Sequence, residues 1–313
     1  MTLVALADEL ILKPNLDITE SAVVRAGVYH FPNETEDGSA GVITISGDNI
    51  VVDFNDATLR GTIETTEPNE RAGTAVYVTG DNVTIKNLNV HGYKIGLYAK
   101  DANGLRIESS DFSYNWKQRL KSTLEKEDSS DWMSFHNNED DEWLRFGAGI
   151  YLRGVDRFEI YECAAVGGQN GLMMTESNQG LIWNNNFSFL SAVGIGMYRS
   201  SENKVMHNKV DWCVRGYSHG VYNRGQDSAG ILVYEQCNDN IFAYNSVTHG
   251  GDGFFLWAGQ TTMDTGEGGC NDNLLYGNDV SHAPTNGIEA TFSRNDFVNN
   301  LIMECWHLSL IHI

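Results

Sequence analysis

The chain has 313 residues and carries 42 acidic against 21 Lys and Arg side chains, a formal charge of −21. No basic stripe exists to meet phosphates, so nucleic acid is excluded as a partner, and an anionic membrane surface is disfavoured for the same reason. No stretch is apolar for long enough to span a bilayer, while the length suffices for one large buried core.

The N-terminus reads MTLVALADEL. Its Ala5-Leu6-Ala7 triplet is of the kind signal peptidase cuts after, but no basic region precedes it. A truncated secretion signal over 1–7 and an ordinary N-terminus both fit. Residues 1–38 read as a lead-in that caps the body of the chain, ending in VVRAGVYHFP (23–32).

From residue 39 the chain becomes periodic. Short apolar runs begin near Val42, Ala75, Leu97, Ile150, Leu172, Ile195, Ile231, Phe254 and Ile288. The clearest follow a glycine: AGIYLR (148–153), NGLMMT (170–175), VGIGMY (193–198), AGILVY (229–234), DGFFLW (252–257) and NGIEAT (286–291). A bare repeat is about 22 residues of strands and turns, the mark of a parallel β-helix of about nine to ten coils. Stacked coils place equivalent positions above one another, so the sequence reads as columns.

The first column after the glycine is Leu97, Ile150, Leu172, Ile195, Ile231, Phe254 and Ile288. The third is Ala99, Leu152, Met174, Met197, Val233, Leu256 and Ala290. Strand side chains alternate faces, so these two columns form the core. The second and fourth then face outward, and contain Tyr151, Phe255 and Glu289, and Arg153, Tyr198, Tyr234 and Trp257. Asn-bearing turns follow, at GDNI (47–50), GDNV (80–83), SENKV (201–205), CNDNI (237–241) and CNDNL (270–274). Asparagine tolerates left-handed backbone, and stacked amides can bond from coil to coil. Asn185, Asn208, Asn245 and Asn278 mark a further turn column.

Of five cysteines, Cys237 and Cys270 share a column on adjacent coils. Coils stack about 4.8 Å apart, so both a disulfide and two buried thiols are open there. No CxxC pair exists, which argues against structural zinc. Three segments interrupt the period. Residues 113–147 are charged and helix-like around Lys117–Lys126, 211–228 mix Gly, aromatic and ionisable residues, and 259–269 form a polar loop. All three flank the outward face and would wall a groove along it. The closing string 308–313, LSLIHI, has no polar cap and reads as a tail foreign to the fold, leaving the β-helix at 39–307.

The densest ionisable set lies at 211–257. Asp227 and Asp252 precede repeat glycines on adjacent coils. Glycosidases that invert hold their carboxyl pair roughly 6.5–9.5 Å apart, a separation neighbouring coils provide with some lateral offset. Asp227 and Asp252, with Glu235 as substitute, are the expected general acid and base; the alternative is that each simply caps a turn. His219 and Arg224, with Arg215, Tyr222 and His249, offer β-elimination instead, in which a base takes the proton beside a uronate carboxylate and a cation neutralises it. His249 shares a column with His282 and also reads as a stacked structural ring. Tyr198, Tyr234 and Trp257, beside Phe255, form an aromatic file that either stacks sugars or lies under an inserted loop. Arg153 and Glu289 join the binding set from the outward columns. No metal site is assigned; the oxygen-rich loop with Asp131, His136, Glu139, Asp140, Asp141 and Glu142 would suit calcium rather than zinc.

This column pattern over roughly residues 40–300 resembles the right-handed parallel β-helix superfamily of pectate lyases and polygalacturonases, and is similar to the parallel-β-helix repeat proteins of the NosD group. The resemblance implies an elongated polysaccharide groove on the outward face. Ser218-His219-Gly220 and Thr248-His249-Gly250 are partial forms of the polygalacturonase Gly-His-Gly string, and the other catalytic strings of that superfamily are absent. The expectation is an all-β, single-domain right-handed parallel β-helix, monomeric and secreted, periplasmic or on the cell surface. It would act on a polysaccharide, first as a glycoside hydrolase, second as a polysaccharide lyase, third as a non-catalytic carbohydrate-binding solenoid.

Overall fold

The computed structural model describes residues 9–35, 40–63, 65–123, 128–133, 136–215 and 227–312. Two parallel sheets of eleven and ten strands run the length of the stack, and a third of three strands, Val28–His30, Thr58–Arg60 and Asn89–His91, lines its first coils. Isolated bridges from Asn89 and Asp111 through Ala164, Asn186, Lys209, Ser246 and Asp279 to Leu301 continue the third side. Each coil thus contributes a strand to two walls of a parallel β-helix and a strand or single bridge to the third.

The register of the long sheet follows the glycine columns. Leu97 pairs with Ile150, Ile150 with Leu172, Leu172 with Ile195, Ile195 with Ile231, Ile231 with Phe254 and Phe254 with Ile288. These side chains are buried in one continuous interior cluster. Burying each Leu or Ile stabilises the fold by about 1.5–3 kcal/mol. Glycine heads each strand because coils approach there too closely for a side chain. A Cβ on Gly194 would lie 2.0 Å from Val210 Cγ1, and one on Gly171 would lie 2.5 Å from the Gly194 carbonyl oxygen.

The turn columns carry two amide ladders. Asn203 Nδ2 donates to Asn240 Oδ1 at 3.1 Å, Asn240 to Asn273 and Asn273 to Asn295 at 2.9 Å each. Asn185, Asn208, Asn245, Asn278 and Asn300 form the second ladder, with spacings of 2.9–3.0 Å. Left-handed backbone falls on Asn49 and Asn82 in early coils but on Glu202, Asp239 and Asp272 later, one residue before the ladder amide.

Several expectations are corrected. The supposed lead-in already builds a coil: Leu16–Ile18 pairs with Gly41–Ile45, Ala22–Val23 with Val51–Asp53, and Val28–His30 with Thr58–Arg60. His307–His312, expected to lie outside the fold, pairs in register with Asn286–Thr291. Residues 117–123 are not helical. The buried Asp131 carboxylate instead gathers the Lys121 and Ser122 amides at 2.7 and 3.1 Å and the Gln118 side chain at 2.8 Å, holding the segment out of a helix. The polar loop at 259–269 contains a short helix, Gly259–Thr265. All five cysteines are free, so Cys237 and Cys270 are a pair of buried thiols.

A second hydrophobic cluster forms outside the barrel. Met133, Trp143 and Phe146 of the 113–147 insert pack on Tyr98, Tyr151, Met173, Tyr198, Leu232 and Tyr234. Trp143 stacks on Tyr234 at 5.8 Å and 12° and meets Tyr198 edge-on at 5.5 Å. Asn138 pins this lid by donating to Tyr151 Oη at 2.8 Å and Thr175 Oγ1 at 2.6 Å while its own oxygen accepts from the Trp143 amide. The middle of the outward face is therefore covered, and the face is not one open groove.

Candidate active site

At the edge of the lid's cluster, the strands Asp252–Trp257 and Asn286–Thr291 leave Phe255, Trp257 and Glu289 half-buried on the outward face. Asp252 heads its strand in a column that is apolar beneath the lid. Val193 pairs with Ala229, and Ala229 with Asp252; Asn286 follows on the next coil. Asp252 is only 7% exposed. Its Oδ1 accepts from the Asn286 backbone amide at 3.0 Å and from Asn286 Nδ2 at 2.9 Å. The same Nδ2 reaches Glu289 Oε2 at 2.6 Å. One amide thus joins two carboxyl groups, whose oxygens lie within two hydrogen-bond lengths of each other. Burial first, then the charges of Glu289 and Asp227, push Asp252 up to about 8, against the opposing bonds from Asn286.

Asp227 is the neighbour expected beside Asp252, and their coils meet where the Asp252 amide donates to the Ser228 carbonyl at 2.8 Å. Its own carboxylate is engaged by Arg215: Nη2 lies 2.8 Å from Oδ2, both side chains being at most 2% exposed, and the Met133 amide donates to the same oxygen. Asp227, expected as one of the general acid–base pair, and Arg215, expected as a substrate contact, thus form a buried pair that braces the lid against the neighbouring coil. Phe255, which pairs in register with Glu289, and Trp257, two residues further along the strand, are half-buried, with ring centroids 5.7 Å apart.

Other expected residues fall elsewhere. Glu235 follows its strand, six positions beyond Ala229, the residue paired with Asp252, and so stands roughly 20 Å along the sheet from Asp252. It is buried, accepting from Tyr198 Oη at 2.9 Å and from Arg199 at 3.3 Å, and does not join the Asp252 pair. Tyr198 and Tyr234 lie under Trp143, so the open aromatic file reduces to Phe255 and Trp257. Arg153 donates to the Asn138 and Glu139 carbonyls, tying down the lid rather than facing the groove. His249 lies in a ring stack at a coil corner, 4.2 Å from Trp212 and 4.7 Å from His282, the structural alternative for this residue. His219, Tyr222 and Arg224 lie outside the described residues. The loop expected to suit calcium spends its carboxylates on protein groups: Asp131 on Gln118, Lys121 and Ser122, Glu139 on Arg199, and Asp141 beside Arg153. Among the described residues no three His, Cys, Asp or Glu side chains gather as a metal site. The sequence reading missed Asn286. Its signal was the change of the pre-glycine column from Val193 and Ala229 to Asp252 and Asn286.

Among the described residues no helix is long and apolar enough to cross a membrane. A search of curated protein sequences gives no significant match. Among solved structures, the pectate lyase Pel9A is similar with a TM-score of 0.56 and 12% identity, covering 95% of this chain and 72% of that one. DFA-IIIase from Arthrobacter chlorophenolicus A6 without its lid gives 0.56 and 12%, over 94% and 81% of the two chains. The periplasmic alginate epimerase AlgG gives 0.53 and 11%, over 93% and 79%. Identities this low speak to the fold. The family profile described as "Right handed beta helix region" matches residues 74–302. With that match over most of its coils, and with the stacked register seen throughout, the chain belongs to the right-handed β-helix family.

Proposed function

We propose that this protein is a glycoside hydrolase acting on a polysaccharide at the open C-terminal part of the outward face. Asp252 is the general acid and Glu289 the carboxylate opposite it. The observation that carries this reading is the amide-bridged pair of unlike carboxyls: Asp252, raised to about 8, keeps its proton at neutral pH beside the charge of Glu289. A carboxyl that its surroundings hold protonated near neutral pH is suited to act as a general acid. The closeness of Asp252 and Glu289 suits a retaining mechanism, in which the two carboxyls stand roughly 5–5.5 Å apart. Glu289 attacks the anomeric carbon as the glycosidic bond breaks, and Asp252 gives its proton to the departing oxygen. Water then displaces Glu289 and returns a proton to Asp252, so one water is consumed per bond cleaved. Phe255 and Trp257 supply apolar faces for sugar rings.

Two similar structures are named as a pectate lyase and an alginate epimerase, which supports a polysaccharide as substrate. A polymer of that size is met outside the cytoplasm, and we place the protein there, secreted, periplasmic or surface-held. Its charge of −21 opposes self-association and fits a monomer. The test is a polysaccharide panel scored both for new reducing ends and for near-ultraviolet absorbance. Hydrolysis produces reducing ends without absorbance, and Asp252→Asn lowers turnover by about 10²–10⁴-fold. Absorbance rising with the reducing ends would replace hydrolysis by β-elimination. Full turnover by Asp252→Asn would remove the carboxyl pair from the mechanism.

A further inference from the structure

Away from the outward face, one corner of the stack carries a file of rings. Trp212, His249 and His282 hold the same place on three successive coils: the Trp212 amide donates to the Thr248 carbonyl at 2.8 Å and the His249 amide to the Ser281 carbonyl at 3.2 Å. All three have left-handed backbone. The rings stack with centroids 4.2 Å apart between Trp212 and His249, and 4.7 Å apart between His249 and His282. Stacking covers the ring faces and leaves the edges, where an imidazole carries its nitrogens.

Both imidazoles are set by carboxylates. His249 Nδ1 lies 2.9 Å from Thr248 Oγ1, which lies 2.9 Å from Asp211 Oδ1. Asp211 is buried, and the same oxygen accepts from the Thr248 amide at 2.9 Å and from Ser246 Oγ at 2.8 Å. A carboxylate can only accept, so the Thr248 hydrogen points to Asp211, and His249 Nδ1 must donate to the hydroxyl. The lone pair of the neutral ring is then on Nε2. On the next coil His282 Nδ1 lies 3.0 Å from Glu304 Oε2, which fixes the same tautomer. Among the described residues neither Nε2 has a hydrogen-bond partner, and neither ring is fully buried. Histidines that bind metals have this arrangement, one nitrogen held by a carboxylate or its relay and the other left basic.

We infer that His249 and His282 form a two-histidine site for a divalent ion of the zinc–copper class, bound through Nε2 of both rings. Imidazole suits these ions, whereas calcium takes oxygen ligands. Two nitrogens on one tetrahedral ion stand about 3.3 Å apart, so the outer edges of the stacked rings close by roughly 1.4 Å, a swing of about 20° in each ring about its Nδ1 anchor. No third His, Cys, Asp or Glu among the described residues joins them, so water completes the shell and the ion exchanges freely. His249 comes three residues before Asp252, and His282 four before Asn286. The ion therefore clips together the two turns that lead into the strands of the carboxyl pair, without entering the hydrogen bonds of that pair. The inference does not depend on the proposed hydrolysis.

The test is titration of the full chain with Cu²⁺, without any saccharide. One ion is expected to bind with two nitrogen donors in its electron paramagnetic resonance spectrum and to quench Trp212, the signal being taken as the difference from Trp212→Phe. It should also raise the melting temperature, since it binds the folded stack. His249→Gln and His282→Gln, with folding checked by circular dichroism, are each expected to weaken binding at least tenfold and to remove the two-nitrogen spectrum. Glu304→Ala changes an exposed side chain and leaves both ligands in place; losing the anchor should cost about tenfold. Asp252→Asn is expected to bind Cu²⁺ as the native protein does, so failure at the carboxyl pair and failure at the corner are told apart. A spectrum with fewer than two nitrogens, displacement of the ion by equimolar Ca²⁺, or undiminished binding in either histidine variant or in Glu304→Ala would overturn the inference.

Discussion

Asp252 shows how a single side chain can work against the fold that holds it. Its carboxyl titrates near 3.8 when unfolded and near 8 in the native protein, with burial the largest cause and the charge of Glu289 next. The folded state therefore binds this proton more tightly than the unfolded chain. Stability from this group is fully present below about pH 4, falls as pH rises, and is lost once pH passes about 8, because in that window the unfolded state releases the proton first. Asn in its place keeps an oxygen for the Asn286 donors and never ionises. Asp252→Asn should therefore unfold at a higher temperature than the native protein at pH 7–8, with the gap closing toward pH 4. Thermal melts across that range check this without any substrate. An unchanged melting temperature at pH 8 would mean that Asp252 is ionised at little cost and is not held as an acid.

The lid acts as an element, because its aromatic residues and the tyrosines they cover form one small core. Trp143 contributes most to it, stacked on Tyr234 and bonded through Nε1 to the His136 carbonyl at 2.8 Å. Trp143→Ala should cost about 3–5 kcal/mol where it acts, enough to loosen the lid while the coils beneath remain stacked. Tyr234, pushed up to about 12 by burial, and Tyr198, raised for the same leading reason, would then become exposed. Both phenols should fall toward the ordinary tyrosine range, near 10. Alkaline absorbance titration should show two tyrosines ionising earlier, with the far-ultraviolet spectrum unchanged. The same element marks what the sequence could reveal. The repeat strands were legible because Ile150, Leu172, Ile195 and Ile231 recur at one position, and stacking turns recurrence into contact. The lid's docking on Tyr198 and Tyr234 was not, because 113–147 occurs once and a covering segment has no period to read. The same limit applied within the site. Asp252 and Glu289 could be found as polar breaks in periodic columns, whereas Arg215 looked like a free cation until its partner Asp227 was located in space.

Across the whole molecule each coil touches only its neighbours, so stability is transmitted along one axis. Ile195 sits mid-stack, paired with Leu172 below and Ile231 above, all three fully buried. Among the described residues, Ile18 belongs to the first paired strand of the long sheet and meets a sheet neighbour only at Ile45. Removing the same methyl groups from each should therefore act differently. Ile195→Ala weakens two interfaces and leaves a cavity between them, at a cost of about 2–5 kcal/mol. It also divides the stack into halves that need no longer unfold together. Ile18→Ala weakens one interface at the edge, where the coil can fray without disturbing the rest. In urea, Ile195→Ala should lower the midpoint and flatten the transition, since the slope follows the surface exposed in each cooperative step. Ile18→Ala should leave the main transition in place with its slope intact. Equal shifts from both would show that the coils unfold as one block rather than as a chain of neighbours.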